Sequence, residues 1–252
     1  MFERPGDAYD SYMGRWSRRL APLFADFAGV EPGMNVLDVG CGPGALMAEL
    51  AARGTTVSGA EPSESFAAAC ADRVPDADVR VAPAERLPWP DGSFDAVLSQ
   101  LVLNFLSDAP AGVREMARVV HPGGVVAACT WDYRGGMEML RTFWDSALEV
   151  DPEALDEGRS MRYCNAEELA ALWESAGLVE LETRTLELEQ PFESFDDYWL
   201  PFALGIGPAG AYYGSLEAAG REALRDACLR RLGTPDGPFT LTARAVAVRG
   251  LR

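Results

Sequence analysis

One stretch constrains this chain more than any other: Val36-Leu37-Asp38-Val39-Gly40-Cys41-Gly42-Pro43-Gly44. Val36, Leu37 and Val39 favour a strand, and a short apolar run ended by glycines suits a buried strand of a parallel sheet. Gly40, Gly42 and Gly44 remove three side chains from one turn. Backbone N–H groups can then approach a ligand closely, and the chain can adopt dihedrals that other residues resist. The pattern predicts a helix over Ala45–Arg53, with Gly54 at the C′ position. A strand, a glycine turn and a helix N-terminus in succession make a site for a nucleoside ligand carrying a negative group.

The spacing narrows the ligand. A dinucleotide fingerprint reads G-x-G-x-x-G, whereas here the third glycine comes one position early. About 20 residues on, a second strand over Thr56–Ala60 ends at Glu61, whose carboxylate can accept from both ribose hydroxyls. Asp38 adds a second carboxylate beside the turn, and no Arg or Lys lies between Asp38 and Arg53. A pyrophosphate would want compensating cations. S-adenosylmethionine carries a sulfonium and an ammonium and no phosphate, so it suits this acidic wall better.

Three further pieces follow the turn in order: Glu61-Pro62-Ser63, the stretch Ala84-Glu85-Arg86-Leu87-Pro88-Trp89-Pro90-Asp91-Gly92-Ser93-Phe94-Asp95, and His121-Pro122-Gly123-Gly124. With them the chain resembles the class I S-adenosylmethionine-dependent methyltransferases, the type 11 small-molecule branch in particular. The resemblance runs from about residue 10 to 131 and thins beyond. It implies an α/β, Rossmann-like, doubly wound and mostly parallel seven-stranded sheet with an antiparallel last strand, plus a helical lid insertion. It implies a single domain over 1–252, made of an N-terminal helical segment (1–34), the core (35–190), the lid (191–238) and the last strand (239–252). The expected activity is methyl transfer from S-adenosylmethionine to a small, apolar or aromatic metabolite. In related enzymes the segment before the first strand folds over the cofactor. Arg15 is then expected to pair with the cofactor's carboxylate and Tyr12 to line the methyl's exit, a surface role for both staying open. Pro62 accompanies Glu61 in the matching piece. Where the family usually has an Asp facing the adenine, this chain has Pro83, which leaves Ala84 N–H and Glu85 for that contact.

Ligands on open α/β sheets sit outside the strands' carboxyl ends. The fourth strand, Phe94–Ser99, therefore places Gln100, Leu101 and Asn104 near the methionine part of the cofactor. The fifth, Val125–Thr130, delivers Trp131, Asp132 and Tyr133 to the substrate side. Trp16, Asn104, Trp131, Tyr133, Trp144 and Tyr198 are the candidate pocket wall, with core packing as the competing reading for the aromatic residues. No catalytic residue is assigned. If the acceptor is a hydroxyl, Tyr12, Asp132 and Tyr133 are candidate bases. His121 is the only histidine, and its turn precedes the fifth strand, at the end opposite the ligand crevice. It is read as structural.

Helices are predicted around Leu20–Phe27, over Phe66–Arg73 behind Ser63, after Asp108, over Met137–Val150, from Asn165 to Gly177 and over Leu216–Leu232. Strands are predicted over Val79–Val81, Val179–Leu188 and Phe239–Arg249. The net charge of −17 disfavours nucleic acid and anionic membranes as partners. Five cysteines, none at zinc-ligand spacing, suggest reduced thiols and no metal in a cytoplasmic protein. No signal peptide is expected from Met1-Phe2-Glu3-Arg4, and residues 1–12 are expected to be mobile at first. Oligomeric state is not indicated. Two other classes stay open: a methyltransferase-like cofactor-binding protein with a regulatory or scaffold role, and a nicotinamide-dependent oxidoreductase, against which the early third glycine argues.

Overall fold

The computed structural model describes residues 10–205 and 207–252; the opening segment, as far as residue 9, lies outside them. A π-helical turn, Asp10–Gly14, leads into helix α1, Arg15–Ala28. Then come β1 Asn35–Val39, α2 Ala45–Ala52, β2 Thr56–Glu61, α3 Glu64–Arg73, β3 Asp78–Val81 and β4 Phe94–Gln100. The chain continues through α4 Ala109–Val119, β5 Val120–Trp131, α5 Glu138–Val150, α6 Ala166–Ser175 and β6 Val179–Phe192. It ends with α7 Phe195–Ala203, α8 Gly207–Ser215, α9 Ala218–Arg231 and β7 Phe239–Leu251.

The seven strands form one sheet in the order β3-β2-β1-β4-β5-β7-β6. β1 pairs in parallel with β2 and β4, and β2–β3 and β4–β5 are parallel as well. β7 runs the other way. Gly123 N–H donates to Arg252 O and Arg252 N–H to Gly124 O, while Asp132 N–H donates to Arg244 O. As β5 advances from 124 to 132, its partner falls from 252 to 244, which defines an antiparallel pair. The fold is the Rossmann-like one expected. Strand order reverses between β1 and β4, so the crevice for a ligand opens outside their carboxyl ends.

His121-Pro122-Gly123-Gly124, expected as a turn before the fifth strand, lies within β5 instead. Phe94 pairs with Val120 and Ala96 with Val125, so four residues oppose Asp95 alone. This is a large bulge, with Gly123 at φ +83°. Helix ends follow local chemistry. Ser63, Asp108 and Asn165 each accept a backbone N–H as N-cap, and Glu168 reaches back to accept the Asn165 side-chain amide and Tyr163 N–H, a variant of the expected capping box. Gly54 and Gly177 follow α2 and α6 in the left-handed conformation.

The chain divides into two compact units. One, the sheet unit, holds 16–130, 162–186 and 246–252. Its core joins Leu37, Val39, Val97 and Val126 of the strands to Val113, Met116, Leu172 and Trp173 of the helices. The Trp173 indole N–H also donates to Val126 O at 3.0 Å. The other, the aromatic unit, holds 131–161 and 187–245 together with the described residues up to Arg15. Its centre is a set of rings: Phe143 stacks on Phe202 at 4.5 Å, and Trp144, Trp199 and Tyr212 surround Phe143. α9 packs along α5, where Cys228 Sγ meets Thr142 O and Arg231 meets Ser146.

Candidate functional site

The site of the sheet unit is built from the carboxyl ends of β1, β2 and β4. Gly40, Gly42 and Gly44 all have left-handed φ, at +76°, +51° and +90°. They need glycine for different reasons. A Cβ on Gly40 would lie 2.5 Å from a Val102 methyl, and one on Gly44 would lie 2.9 Å from Cys70 Sγ. A Cβ on Gly42 would meet nothing within 4 Å: it faces open space. Gly40 and Cys41 N–H donate to Ala60 O at 2.8 and 3.1 Å, locking the turn to β2. Gly44 is the N-cap of α2 and, having no side chain, gives its first N–H groups no side-chain cap.

Glu61 organises the turn from the next strand. Its Oε2 accepts Gly42 N–H at 3.0 Å and its Oε1 accepts Ser63 N–H at 3.0 Å. Burial raises its pKa, and the two backbone N–H bonds partly oppose the rise. Asp38 is 1% exposed, and its Oδ1 is buried with no hydrogen-bond partner. Burial, with the Glu61 charge second, pushes its pKa up to about 8. Beyond β4, Gln100 Nε2 donates to Ser17 O of α1 at 3.1 Å, while Gln100 Oε1 is buried and unpartnered. Leu101 follows at φ +65°, an outlier for a bulky residue, with its N–H on Cys129 O. Two buried oxygens lacking donors, at the ends of adjacent strands, fit an ammonium-bearing ligand.

Ala84 is buried in the loop after β3. Glu85 turns to α4 instead, accepting from Ser107 Oγ at 2.9 Å and Asp108 N–H at 3.3 Å. Burial works to raise its pKa, but these hydrogen bonds outweigh it and hold the carboxyl below its usual range. Pro62 is exposed beside Glu61, and Asn104 lies in a 3₁₀ turn, Leu103–Phe105. Trp16 is fully buried on α1.

The remaining candidates lie in the aromatic unit. Tyr12 is buried edge-on against Phe202 at 5.5 Å. Arg15 Nη2 pairs with Asp197 at 3.0 Å and its guanidinium lies over the Phe192 ring; its Nη1 is buried without a hydrogen-bond partner. Trp131, Tyr133, Trp144 and Tyr198 are buried, and Tyr198 OH donates to Met139 O at 3.2 Å. Asp132, a candidate base, pairs with Arg244 at 3.1 Å. One group passed unnoticed in the sequence: Glu157 is buried and accepts the Trp144 indole N–H at 2.7 Å. Burial, outweighing that bond, raises its pKa to about 7.

His121 meets Asp95 at 3.1 Å within the bulge of β5, at the amino end of that strand. His121→Asn is therefore expected to leave methyl-transfer turnover and cofactor affinity unchanged, with a stability change within about 0.5 kcal/mol. A large fall in turnover at unaltered melting temperature would make the histidine part of the chemistry. Among the described residues no group of three or more His, Cys, Asp or Glu is placed to hold a metal. No helix among them is long and apolar enough to cross a membrane.

The methyltransferase domain family matches residues 37–128. A demethylmenaquinone methyltransferase of Beutenbergia cavernae is 38% identical over 62% of this chain and 68% of its own. A 2-methyl-6-phytyl-1,4-hydroquinone methyltransferase of Synechocystis is 32% identical over 64% of this chain; the match spans only 52% of that relative's length. Among solved structures, a SAM-dependent methyltransferase from Aquifex aeolicus has a TM-score of 0.56 at 19% identity, covering 73% of this chain and 93% of that one. Taken with the glycine turn and sheet order, these matches place the chain in the class I S-adenosylmethionine-dependent methyltransferases. The chain belongs to that family, and the two curated relatives named are quinone-type methyltransferases.

Proposed function

We propose that this enzyme methylates a small apolar or aromatic acceptor of the hydroquinone type, in the cytoplasm, and that S-adenosylmethionine occupies the glycine turn of the sheet unit. One observation carries the cofactor placement. A side chain on Gly42 would meet open space, Glu61 on the next strand is already oriented by two backbone N–H groups, and Asp38 and Gln100, at the carboxyl ends of adjacent strands, each keep a buried oxygen lacking a donor. The acceptor class rests on the relatives' substrates. Tyr12 and Arg15 enter this reading through the sequence resemblance.

When bound, the cofactor supplies a methyl group already activated on its sulfonium. The chain's own residues bind and orient. Glu61 accepts from the ribose hydroxyls with its remaining lone pairs. Asp38 Oδ1 and Gln100 Oε1 accept from the ammonium. The bare main chain of Gly40–Gly44 and the first turn of α2 face the carboxylate-bearing end. Ala84 lines the adenine side, Glu85 being committed to α4. Holding donor and acceptor in line can lower the barrier by on the order of 7–11 kcal/mol, so no dedicated nucleophile is required.

The test is incubation with methyl-deuterated S-adenosylmethionine and a panel of hydroquinones, phenols and amines, followed by mass spectrometry. A labelled hydroquinone ether or ring-methylated product is expected. Labelled product only from amines would move the acceptor class. Cofactor binding with no labelled product from any acceptor would favour a regulatory or scaffold role.

A further inference from the structure

Two carboxylates share the glycine turn, and among the described residues no cation acts on either. Asp38 and Glu61 sit on adjacent parallel strands; Asp38 is in register with Gly59, two residues before Glu61. They are 1% and 7% exposed. Glu61 is supported as an anion by the N–H groups of Gly42 and Ser63, whereas Asp38 Oδ1 has no donor at all. The other titratable groups around the pair are Cys41 in the turn, Cys70 on α3 and Cys129 on β5. All three are thiols, which can carry no positive charge. Burying two anions side by side without compensation costs more than protonating one of them. Glu61 has the donors, so the proton belongs on Asp38.

On the cofactor reading above, we infer that the ligand-free Asp38–Glu61 pair carries one proton at neutral pH, and that a ligand bearing an ammonium at this point displaces it. The Asp38 O–H bond breaks, its electron pair stays on the carboxylate, and the proton leaves to buffer. An ammonium N–H takes its place as donor, and no redox partner is involved. The pair thus selects for positive charge: a nucleoside lacking the ammonium finds Asp38 protonated and leaves it so.

The sign of the pH dependence follows. Burial and Glu61 raise the ligand-free Asp38 to about 8, and a bound cation lowers it. Affinity for an ammonium-bearing ligand therefore climbs with pH, about tenfold between pH 6 and 7, and levels off above pH 8.

Calorimetric titration of the full chain with S-adenosylhomocysteine at pH 7.0, in phosphate, Hepes and Tris, reads the protons directly from the dependence of heat on buffer. Release of roughly half to one proton per ligand is expected. 5′-Methylthioadenosine, which lacks the ammonium, should bind more weakly and release none. Asp38→Asn should bind S-adenosylhomocysteine weakly with no proton release; wild-type release from that variant would overturn the assignment to Asp38. If the variant does not fold, the wild-type affinity between pH 6 and 8 decides, and a flat profile overturns the inference. Tight binding without proton release refutes the proton exchange alone. Absence of binding refutes the cofactor reading with it.

Discussion

Glu61→Ala lowers the affinity for S-adenosylhomocysteine by roughly 10²–10⁴-fold. Two ribose hydroxyls donate to one charged acceptor, each bond contributing about 1.5–3 kcal/mol, at about 1.4 kcal/mol per decade. The same substitution also acts on the empty protein. It strips the acceptor from Gly42 and Ser63, whose N–H groups donate to Glu61 at 3.0 Å each. A buried donor left unpaired costs about 1–3 kcal/mol, so the melting temperature falls as well. Glu61→Gln separates the two effects. Its one remaining oxygen can still accept one backbone N–H, so stability recovers in part while the paired ribose contact does not. Calorimetry and thermal denaturation on both variants check this. Unchanged affinity in folded Glu61→Ala would remove Glu61 from ligand binding.

Gly42→Val abolishes binding and leaves the fold standing. At φ +51° a side chain costs about 1–2 kcal/mol, more for a branched one, which lowers the melting temperature by several degrees. No protein atom opposes the new Cβ, because the position faces open space. The neighbouring glycines behave differently. A side chain at Gly44 drives into Cys70, and one at Gly40 into Val102, so both damage the fold before the ligand matters. A soluble, cooperatively melting Gly42→Val protein with no heat of binding is the expected result; a folded variant that binds normally would mean the turn has been misread.

Some of this architecture was legible because it is local. Ser63, Asp108 and Asn165 stand next to the helices they cap, and their side chains reach N–H groups three residues on. Asp38, the glycines and Glu61 were readable for a similar reason. A strand–turn–helix unit fixes where the following strand must end, so a carboxylate 19 residues from Gly42 falls beside the turn. The mostly parallel order was implied by the resemblance to the class I methyltransferases, and the parallel pairing of β1 through β5 agrees with it.

Other features depend on partners far away in sequence. Gln100 was placed at the carboxyl end of β4, but its bond to Ser17 spans 83 residues and left no local trace. Nothing in Leu101-Val102 announces a left-handed Leu101, after which Val102 fills the space a side chain on Gly40 would need. Asp156-Glu157-Gly158-Arg159 reads as a polar loop, yet Glu157 is buried by the Trp144 indole 13 residues before it. His121-Pro122-Gly123-Gly124 has the composition of a turn but forms a bulge inside β5. What its composition does not reveal is that the strand has already begun at Val120. The expected helix over Leu216–Leu232 is found as Ala218–Arg231, but two more precede it. Gly207–Ser215, with three glycines and a proline, is a poor helix by propensity, and Pro201 interrupts the pattern of Phe195–Ala203. Their rings supply what propensity does not: Trp199 and Phe202 pack on Phe143, and Tyr212 on Trp144. The strand expected over Val179–Leu188 runs on to Phe192.

The central claim concerns one place, the turn between β1 and α2 with its two buried acids. A co-crystal structure with S-adenosylhomocysteine examines it directly. The ribose hydroxyls are predicted to lie within hydrogen-bonding distance of the Glu61 carboxylate, the ammonium against Asp38 and Gln100, and the ligand backbone in van der Waals contact with Gly42. Clear density for the nucleoside elsewhere on the protein, with the turn left open, would contradict the account.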